Sequence, residues 1–98
     1  KTYEETMPAG YSEHQTGLAL DILSSSNLNM NISQENTKEN QWMKEHCYEY
    51  GFILRYPKDK ENITQISYEP WHFRYVGKEA AKYIKENNLT LEEFYLSL

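Results

Sequence analysis

Two short stretches of the sequence concentrate the nitrogen and oxygen donors that metal-dependent hydrolysis requires. The first holds His14 and Asp21, and the second holds Glu69 and His72. A catalytic zinc ion takes three nitrogen or oxygen ligands from the protein and leaves its fourth position to water. His14, Asp21 and His72 supply such a set. Glu69 remains as a carboxylate that does not bind the metal, which predicts a general base beside a zinc site.

The sequence around these residues predicts how they are held. Apolar residues alternate over 18–23, which predicts a strand with Asp21 on the side away from the apolar face. Pro70 disfavours helical dihedral angles for Glu69 and fixes its own φ. We therefore expect Glu69 on a stiff extended segment, three residues before His72.

Other patterns predict the elements that must position these side chains. In chain order they are a strand over 18–23, a loop or weak edge strand over 24–35, a helix from Thr37 to about Tyr50 ended by Gly51, a strand over 52–56, a hairpin partner over 63–68, a strand over 71–76, a helix over 78–87 and a short helix opened by a capping box at 90–93. These elements predict one α+β domain over residues 1–98, a small antiparallel sheet with flanking helices.

Composition excludes several classes of function. The net charge of -5 argues against a nucleic-acid backbone or an anionic membrane as partner, because both recruit patches of Lys and Arg. Cys47 is the only cysteine, which excludes an internal disulfide and a cysteine-rich zinc cluster. No stretch approaches the length of a membrane span. Because the chain begins with Lys1, we expect it to be part of a longer protein.

The remaining reactive side chains have ordinary structural interpretations. His46 and Cys47 are adjacent on the predicted helix and point about 100° apart, so joint metal binding is not expected. Arg55 and Arg74 are the only arginines. Either could orient a substrate carboxylate, although arginines among aromatic residues more often stack or pair with nearby carboxylates.

The combination of motifs resembles the VanY-type D-alanyl-D-alanine carboxypeptidases, which trim the stem peptides of bacterial peptidoglycan. The matching runs cover nearly the whole chain: PAGYSEHQTGLALD at 8–21, YGFILRYP at 50–57 and YEPWHFRYVG at 68–77. The serine, histidine and aspartate pattern alone is weak. Followed at this distance by Glu-Pro-Trp-His, it is specific.

The resemblance implies the α+β fold shared with the hedgehog signalling domain, a zinc site of His14, Asp21 and His72, and Glu69 as the base that activates water. It also implies that Ser12 lies near the substrate. We add Arg74 as a second candidate for substrate binding. Family members carry an upstream arginine that has no counterpart here, so the chain is interpreted as the C-terminal part of a longer domain.

The expected activity is zinc-dependent removal of the terminal D-Ala from peptidoglycan stem peptides. Relatives with the same fold cleave the L,D bond of tetrapeptide stems or act as endolysins, and the sequence does not separate these substrates. A metal-containing, non-catalytic wall-binding module is the alternative from another class. The resemblance also implies an extracytoplasmic, cell-wall-associated protein.

Overall fold

The computed structural model describes residues 17–98 of the 98-residue chain. In this part, the strands and α-helices are, in order, β1 (Ala19–Asp21), α1 (Lys38–His46), β2 (Phe52–Leu54), α2 (Glu61–Thr64), β3 (His72–Tyr75), α3 (Lys78–Glu86) and α4 (Leu91–Leu96). Short 3-10 helices cover Ile32–Asn36, Cys47–Tyr50 and Lys58–Lys60. Among the described helices, none has the length and apolar character needed to cross a membrane.

The three strands form one antiparallel sheet in the order β1-β3-β2. The central strand β3 therefore pairs with both neighbours. Its first residue, His72, lies opposite Asp21 of β1, and its Arg74 lies opposite both Ala19 and Ile53. The expected α+β architecture is confirmed, and its central strand begins at a predicted site residue.

Helix α1 begins where its local sequence predicts, but its α-helical part ends at His46, before the predicted end at about Tyr50. The Thr37 hydroxyl accepts a hydrogen bond from the backbone N–H of Asn40, which satisfies a donor of the first turn. A 3-10 turn continues the helix to Tyr50, and Gly51 ends it with a φ of 88°. The aromatic residues Trp42 and Tyr50 are about half exposed, whereas Asn40 and Cys47 are buried.

The hydrophobic core lies between the sheet and the C-terminal helices. Its fully buried cluster is Ile53, Ala81, Ile84 and Leu91, and Tyr48, Val76, Leu89 and Phe94 pack against it. The predicted capping box of α4 is present, with Thr90 and Glu93 each bonding to the other's backbone N–H. Phe73, in the middle of β3, is completely buried. The central strand is thus held on a packed core.

The predicted hairpin strand over 63–68 is wrong. Residues Glu61–Thr64 form helix α2, and β2 pairs with β3 instead. The hydroxyl of Thr64 bonds to both the backbone N–H and the carbonyl of Ile66, and Gln65 has a left-handed φ of 63°. These local bonds give the backbone an alternative to a strand ladder.

The first strand is shorter than predicted, and the side of it that carries Leu18 and Leu20 is not the buried side. Leu18 and Leu20 are 39% and 48% exposed, whereas Ala19 between them is 8% exposed. Asp21 lies on the same side of the strand as Ala19, because side chains two residues apart share a face. The alternation predicted which residues share a face, but it did not predict which face packs inward.

Candidate functional site

Strand pairing brings Asp21 next to His72. The two residues are partners in the β1–β3 ladder, and the Oδ1 atom of Asp21 lies 3.8 Å from the Nδ1 atom of His72. The adjoining backbone extends the pairing, since the N–H of Ile22 donates to the carbonyl of Trp71 at 2.9 Å. Two residues separated by 51 positions therefore meet through the register of the sheet.

A β-turn brings Glu69 to the same place. The backbone N–H of His72 donates to the carbonyl of Glu69 at 3.2 Å, with Pro70 at the second position of the turn. Proline is favoured at that position because its φ is already near -65°. The turn places the Oε1 atom of Glu69 3.3 Å from the Nδ1 atom of His72. Glu69 leads into this turn, and its extended backbone stays a prediction.

Burial differs among the three side chains. His72 and Glu69 are 5% and 7% exposed as residues, whereas the Asp21 side chain is 29% exposed. The ring of Tyr56 covers His72, with the ring centroids 4.9 Å apart. The cluster is therefore closed on the Tyr56 side and more open on the Asp21 side.

The geometry of Asp21 and His72 fits two ligands of one zinc ion. With metal–ligand bonds of about 2.0–2.1 Å, two tetrahedral ligands lie about 3.4 Å apart. The observed separation of 3.8 Å between Asp21 Oδ1 and His72 Nδ1 differs by an amount that a small side-chain rotation removes. An imidazole nitrogen and a carboxylate oxygen are also donors that zinc accepts.

The described residues, 17–98, include two of the three predicted metal ligands. Within that range, no group of three His, Cys, Asp or Glu side chains is arranged to hold a metal ion. The sequence predicted His14 as this ligand and Ser12 as a substrate contact, and both lie outside the described residues. Of the predicted site, the structure brings together Asp21, Glu69 and His72.

The two arginines have different surroundings. Arg55 makes a bidentate ion pair with Glu92, at 2.8 and 2.9 Å, and its guanidinium lies 4.7 Å from the centre of the Tyr56 ring. This pairing and stacking occupies Arg55 with structural contacts. Arg74 lies on β3 two residues beyond His72 and is half-buried. It therefore stays a prediction as a substrate contact.

His46 and Cys47 stay outside the cluster. His46 stacks on Trp42 and its Nδ1 atom lies 2.7 Å from Glu49 Oε2. Burial raises the pKa of the Cys47 thiol to about 11, so the thiol is protonated at neutral pH. A protonated thiol is neither a metal ligand nor a nucleophile.

Sequence reasoning missed two residues that touch the cluster. The carbonyl of Tyr56 accepts a hydrogen bond from the N–H of Glu69 at 3.1 Å, in addition to the ring contact with His72. The side chain of Asn40 donates to the carbonyl of Pro70 at 2.6 Å. A signal for Asn40 was present, because it lies seven residues before the buried Cys47 on the inner side of a predicted helix.

Comparisons with known proteins identify relatives of this chain. The family model for VanY, D-alanyl-D-alanine carboxypeptidase, matches residues 2–78. A D-alanyl-D-alanine carboxypeptidase of Enterococcus faecium is 50% identical over 91 residues, which are 93% of this chain and 28% of that protein.

Two solved structures have the same fold as this chain. The LdcB LD-carboxypeptidase matches with a TM-score of 0.86 and 57% identity, over 89% of this chain and 41% of that chain. A vancomycin-resistance D,D-pentapeptidase VanY in complex with Zn(II) matches with a TM-score of 0.74 and 46% identity, over 88% of this chain and 46% of that chain. The chain thus spans less than half the length of each of these proteins.

Proposed function

The chain belongs to the VanY family of D-alanyl-D-alanine carboxypeptidases, and on that premise we propose that it forms the zinc-binding part of a carboxypeptidase that acts on peptidoglycan stem peptides. The observation that carries the proposal is the convergence of Asp21, Glu69 and His72. Strand register brings the carboxylate of Asp21 next to the imidazole of His72, and a β-turn brings the carboxylate of Glu69 next to the same imidazole.

In this proposal His14, Asp21 and His72 hold the zinc ion. When bound, zinc polarises the scissile carbonyl and lowers the pKa of water toward neutrality. The sheet holds two of these ligands. Asp21 pairs with His72 on one edge of β3, and on the other edge the N–H of Arg55 donates to the His72 carbonyl at 3.1 Å. The imidazole is thus carried by a strand paired on both edges.

Glu69 is proposed as the general base. It accepts a proton from the attacking water and returns that proton to the leaving amine, so the carboxylate is regenerated in each cycle. Two hydrogen bonds hold its backbone. The N–H of Glu69 donates to the carbonyl of Tyr56, and the carbonyl of Glu69 accepts from the N–H of His72. A base held on both sides keeps its distance to the reacting atoms, which is what efficient proton transfer needs.

Substrate contacts are proposed for Ser12 and Arg74. An arginine suits the free carboxylate at the end of a stem peptide, because its planar guanidinium donates two parallel hydrogen bonds. With peptidoglycan as substrate, the protein acts outside the cytoplasm, at the cell wall.

The terminal D-Ala of D-Ala-D-Ala stems is the proposed leaving group, and cleavage of the L,D bond of tetrapeptide stems is the second candidate. The second is favoured by the higher similarity to the LdcB LD-carboxypeptidase, 57% identical, than to the D,D-pentapeptidase VanY, 46% identical. Both reactions release one D-Ala and use the same base and ligands.

The test is release of free D-Ala from two synthetic stems, a pentapeptide ending in D-Ala-D-Ala and a tetrapeptide ending in one D-Ala. It uses the full product of the gene that encodes this chain, with zinc added or with a chelator. Release from the pentapeptide supports the D,D assignment, and release from the tetrapeptide supports the L,D assignment. Zinc binding without release from either stem would favour the wall-binding module and reject the carboxypeptidase.

A further inference from the structure

The segment that carries Glu69 and His72 has its backbone polar groups met from several parts of the fold. The N–H of Glu69 bonds to Tyr56, and the carbonyl of Trp71 accepts from Ile22. The carbonyl between them, on the fully buried Pro70, lies outside the strand ladder. A buried carbonyl needs a partner, because leaving it unmet costs the full desolvation of that group.

Asn40 on helix α1 meets the Pro70 carbonyl. Its Nδ2 atom donates to that oxygen at 2.6 Å, across thirty residues of sequence, and in residues 17–98 no other donor reaches it. Asn40 is 3% exposed. The amide orientation follows from this contact, because the reverse orientation would place two acceptor oxygens against each other.

The Asn40 amide contacts the protein through its donor half. Its Nδ2 atom reaches the Pro70 carbonyl, and its buried Oδ1 atom has no protein donor among residues 17–98. The contact with Pro70 is therefore the one that the Asn40 side chain makes with this segment.

Lys44 makes a second contact from the same face of α1. It lies four residues after Asn40, one helical turn along, so the two side chains are neighbours on the helix surface. Its Nζ atom donates to the hydroxyl of Tyr68 at 3.0 Å, and that hydroxyl donates to Glu35 at 3.2 Å. Burial, together with the nearby Glu35 carboxylate, raises the pKa of Tyr68 to about 12, so the hydroxyl remains protonated and can serve as a donor.

The two contacts flank Glu69 in the sequence. Lys44 reaches the side-chain hydroxyl of Tyr68, and Asn40 reaches the carbonyl of Pro70. We propose that Asn40 and Lys44 are positioning residues, which together hold the Glu69 carboxylate at the distance that proton transfer requires. This proposal rests on the proposed function of Glu69 as the base. His72 does not depend on these contacts, because the sheet holds it on both edges.

That difference separates a positioning role from a general structural one. Loss of the Asn40 or Lys44 contact lets the turn shift at Glu69, while the paired strand keeps His72 next to Asp21. A displacement of about 1 Å at a catalytic group can cost about 100-fold in rate. We therefore expect a lower kcat, with the affinity for zinc and the KM within about twofold of the parent.

The experiment compares Asn40→Ala, Lys44→Met and the control Glu45→Ala. Lys44→Met keeps an unbranched side chain of similar length and removes the ammonium donor, and Lys44 is partly exposed, so this variant is expected to fold. Glu45 is exposed on α1, next to Lys44 in sequence, and belongs to neither contact. We expect kcat to fall by about 10- to 100-fold in Asn40→Ala, by less in Lys44→Met and not at all in the control.

A readout that does not need turnover accompanies the kinetics. Amide hydrogen exchange at Glu69 is expected to become faster in Asn40→Ala and Lys44→Met, while exchange in β3 at Phe73 stays unchanged. Equal exchange at Glu69 in all variants overturns the proposal, even if the parent protein has no carboxypeptidase activity. A parallel loss of zinc affinity, kcat and melting temperature also overturns it, because it would assign these residues a structural role only.

Discussion

At the scale of single residues, the candidate site depends on a division of roles between two carboxylates. Asp21 faces His72 across the sheet, whereas Glu69 reaches the same imidazole through a turn. The environments of the two carboxylates also differ. The more exposed Asp21 is the proposed ligand, and the buried Glu69 is the proposed base.

The role of Glu69 is tested by Glu69→Gln, which keeps the shape of the side chain and removes the proton acceptor. We expect turnover to fall by a factor on the order of 10²–10⁴, the usual contribution of a general base, with zinc affinity unchanged. Zinc content and D-Ala release are measured on the same preparation. Loss of zinc in this variant would make Glu69 a ligand, and full activity would leave another group as the base.

Cys47 gives a prediction for pH dependence. Its pKa is raised from about 9 to about 11 in the folded chain, so the folded state retains the thiol proton over this range more strongly than the unfolded state does. The stabilisation is fully present below pH 9 and is lost as the pH rises to 11. Cys47→Ala should therefore show a smaller loss of unfolding free energy between pH 9 and 11, measured by urea denaturation. An identical pH dependence in parent and variant would contradict the assignment.

At the scale of elements, the ends of the helices are determined by local chemistry. Thr37 and Thr90 cap α1 and α4 through their hydroxyls, and Gly51 and Gly77 provide the positive φ angles at the two junctions with the sheet. Such features act within one turn of chain. They therefore position β2 and β3 relative to the helices that follow or precede them.

Gly51→Ala tests the first of these junctions. Gly51 has a left-handed backbone, with a φ of 88° and a ψ of 10°, so alanine is strained there by about 1–2 kcal/mol. A Cβ atom at Gly51 would also lie 2.6 Å from the Tyr75 ring. Gly51→Ala should therefore destabilise the protein by more than this strain alone, as measured by urea denaturation. A loss no larger than the strain would mean that the Tyr75 ring moves aside without cost.

At the scale of the whole molecule, the proposed zinc site joins the first and last strands of the described chain. Asp21 lies in the first strand and His72 in the last, and His14 would extend the link further toward the N-terminus. A ligand that binds only the folded state raises its stability by about 2.7 kcal/mol at a concentration 100 times its Kd. The metal is thus expected to stabilise the fold as well as to serve catalysis.

The measurement is the melting temperature during titration with zinc, followed by removal with a chelator. We expect the melting temperature to rise with zinc in the parent and in Glu69→Gln, because the latter keeps all three ligands. His72→Ala should remove the response. A response to zinc that persists in His72→Ala would exclude His72 as a ligand.

The order of strands and helices was largely predictable because its signals are local. Capping hydroxyls, glycines at left-handed positions and alternating apolar residues act within a few residues of each other, and all are visible in the sequence. The failure at 63–68 has the same origin. The bonds between Thr64 and Ile66 are also local, but the prediction took 63–68 as the hairpin partner of the preceding strand.

The sequence by itself determined which residue types are available for the site, and Pro70 predicted a stiff backbone at Glu69. Only the tertiary structure decided that Asp21 pairs with His72, that Ala19 rather than Leu20 faces inward, and that Asn40 meets the carbonyl of Pro70. The contacts of Asp21 with His72 and of Asn40 with Pro70 join residues 51 and 30 positions apart. Their register depends on the burial and hydrogen bonding of the whole sheet, because a shift of one residue would reverse every side chain of the strand.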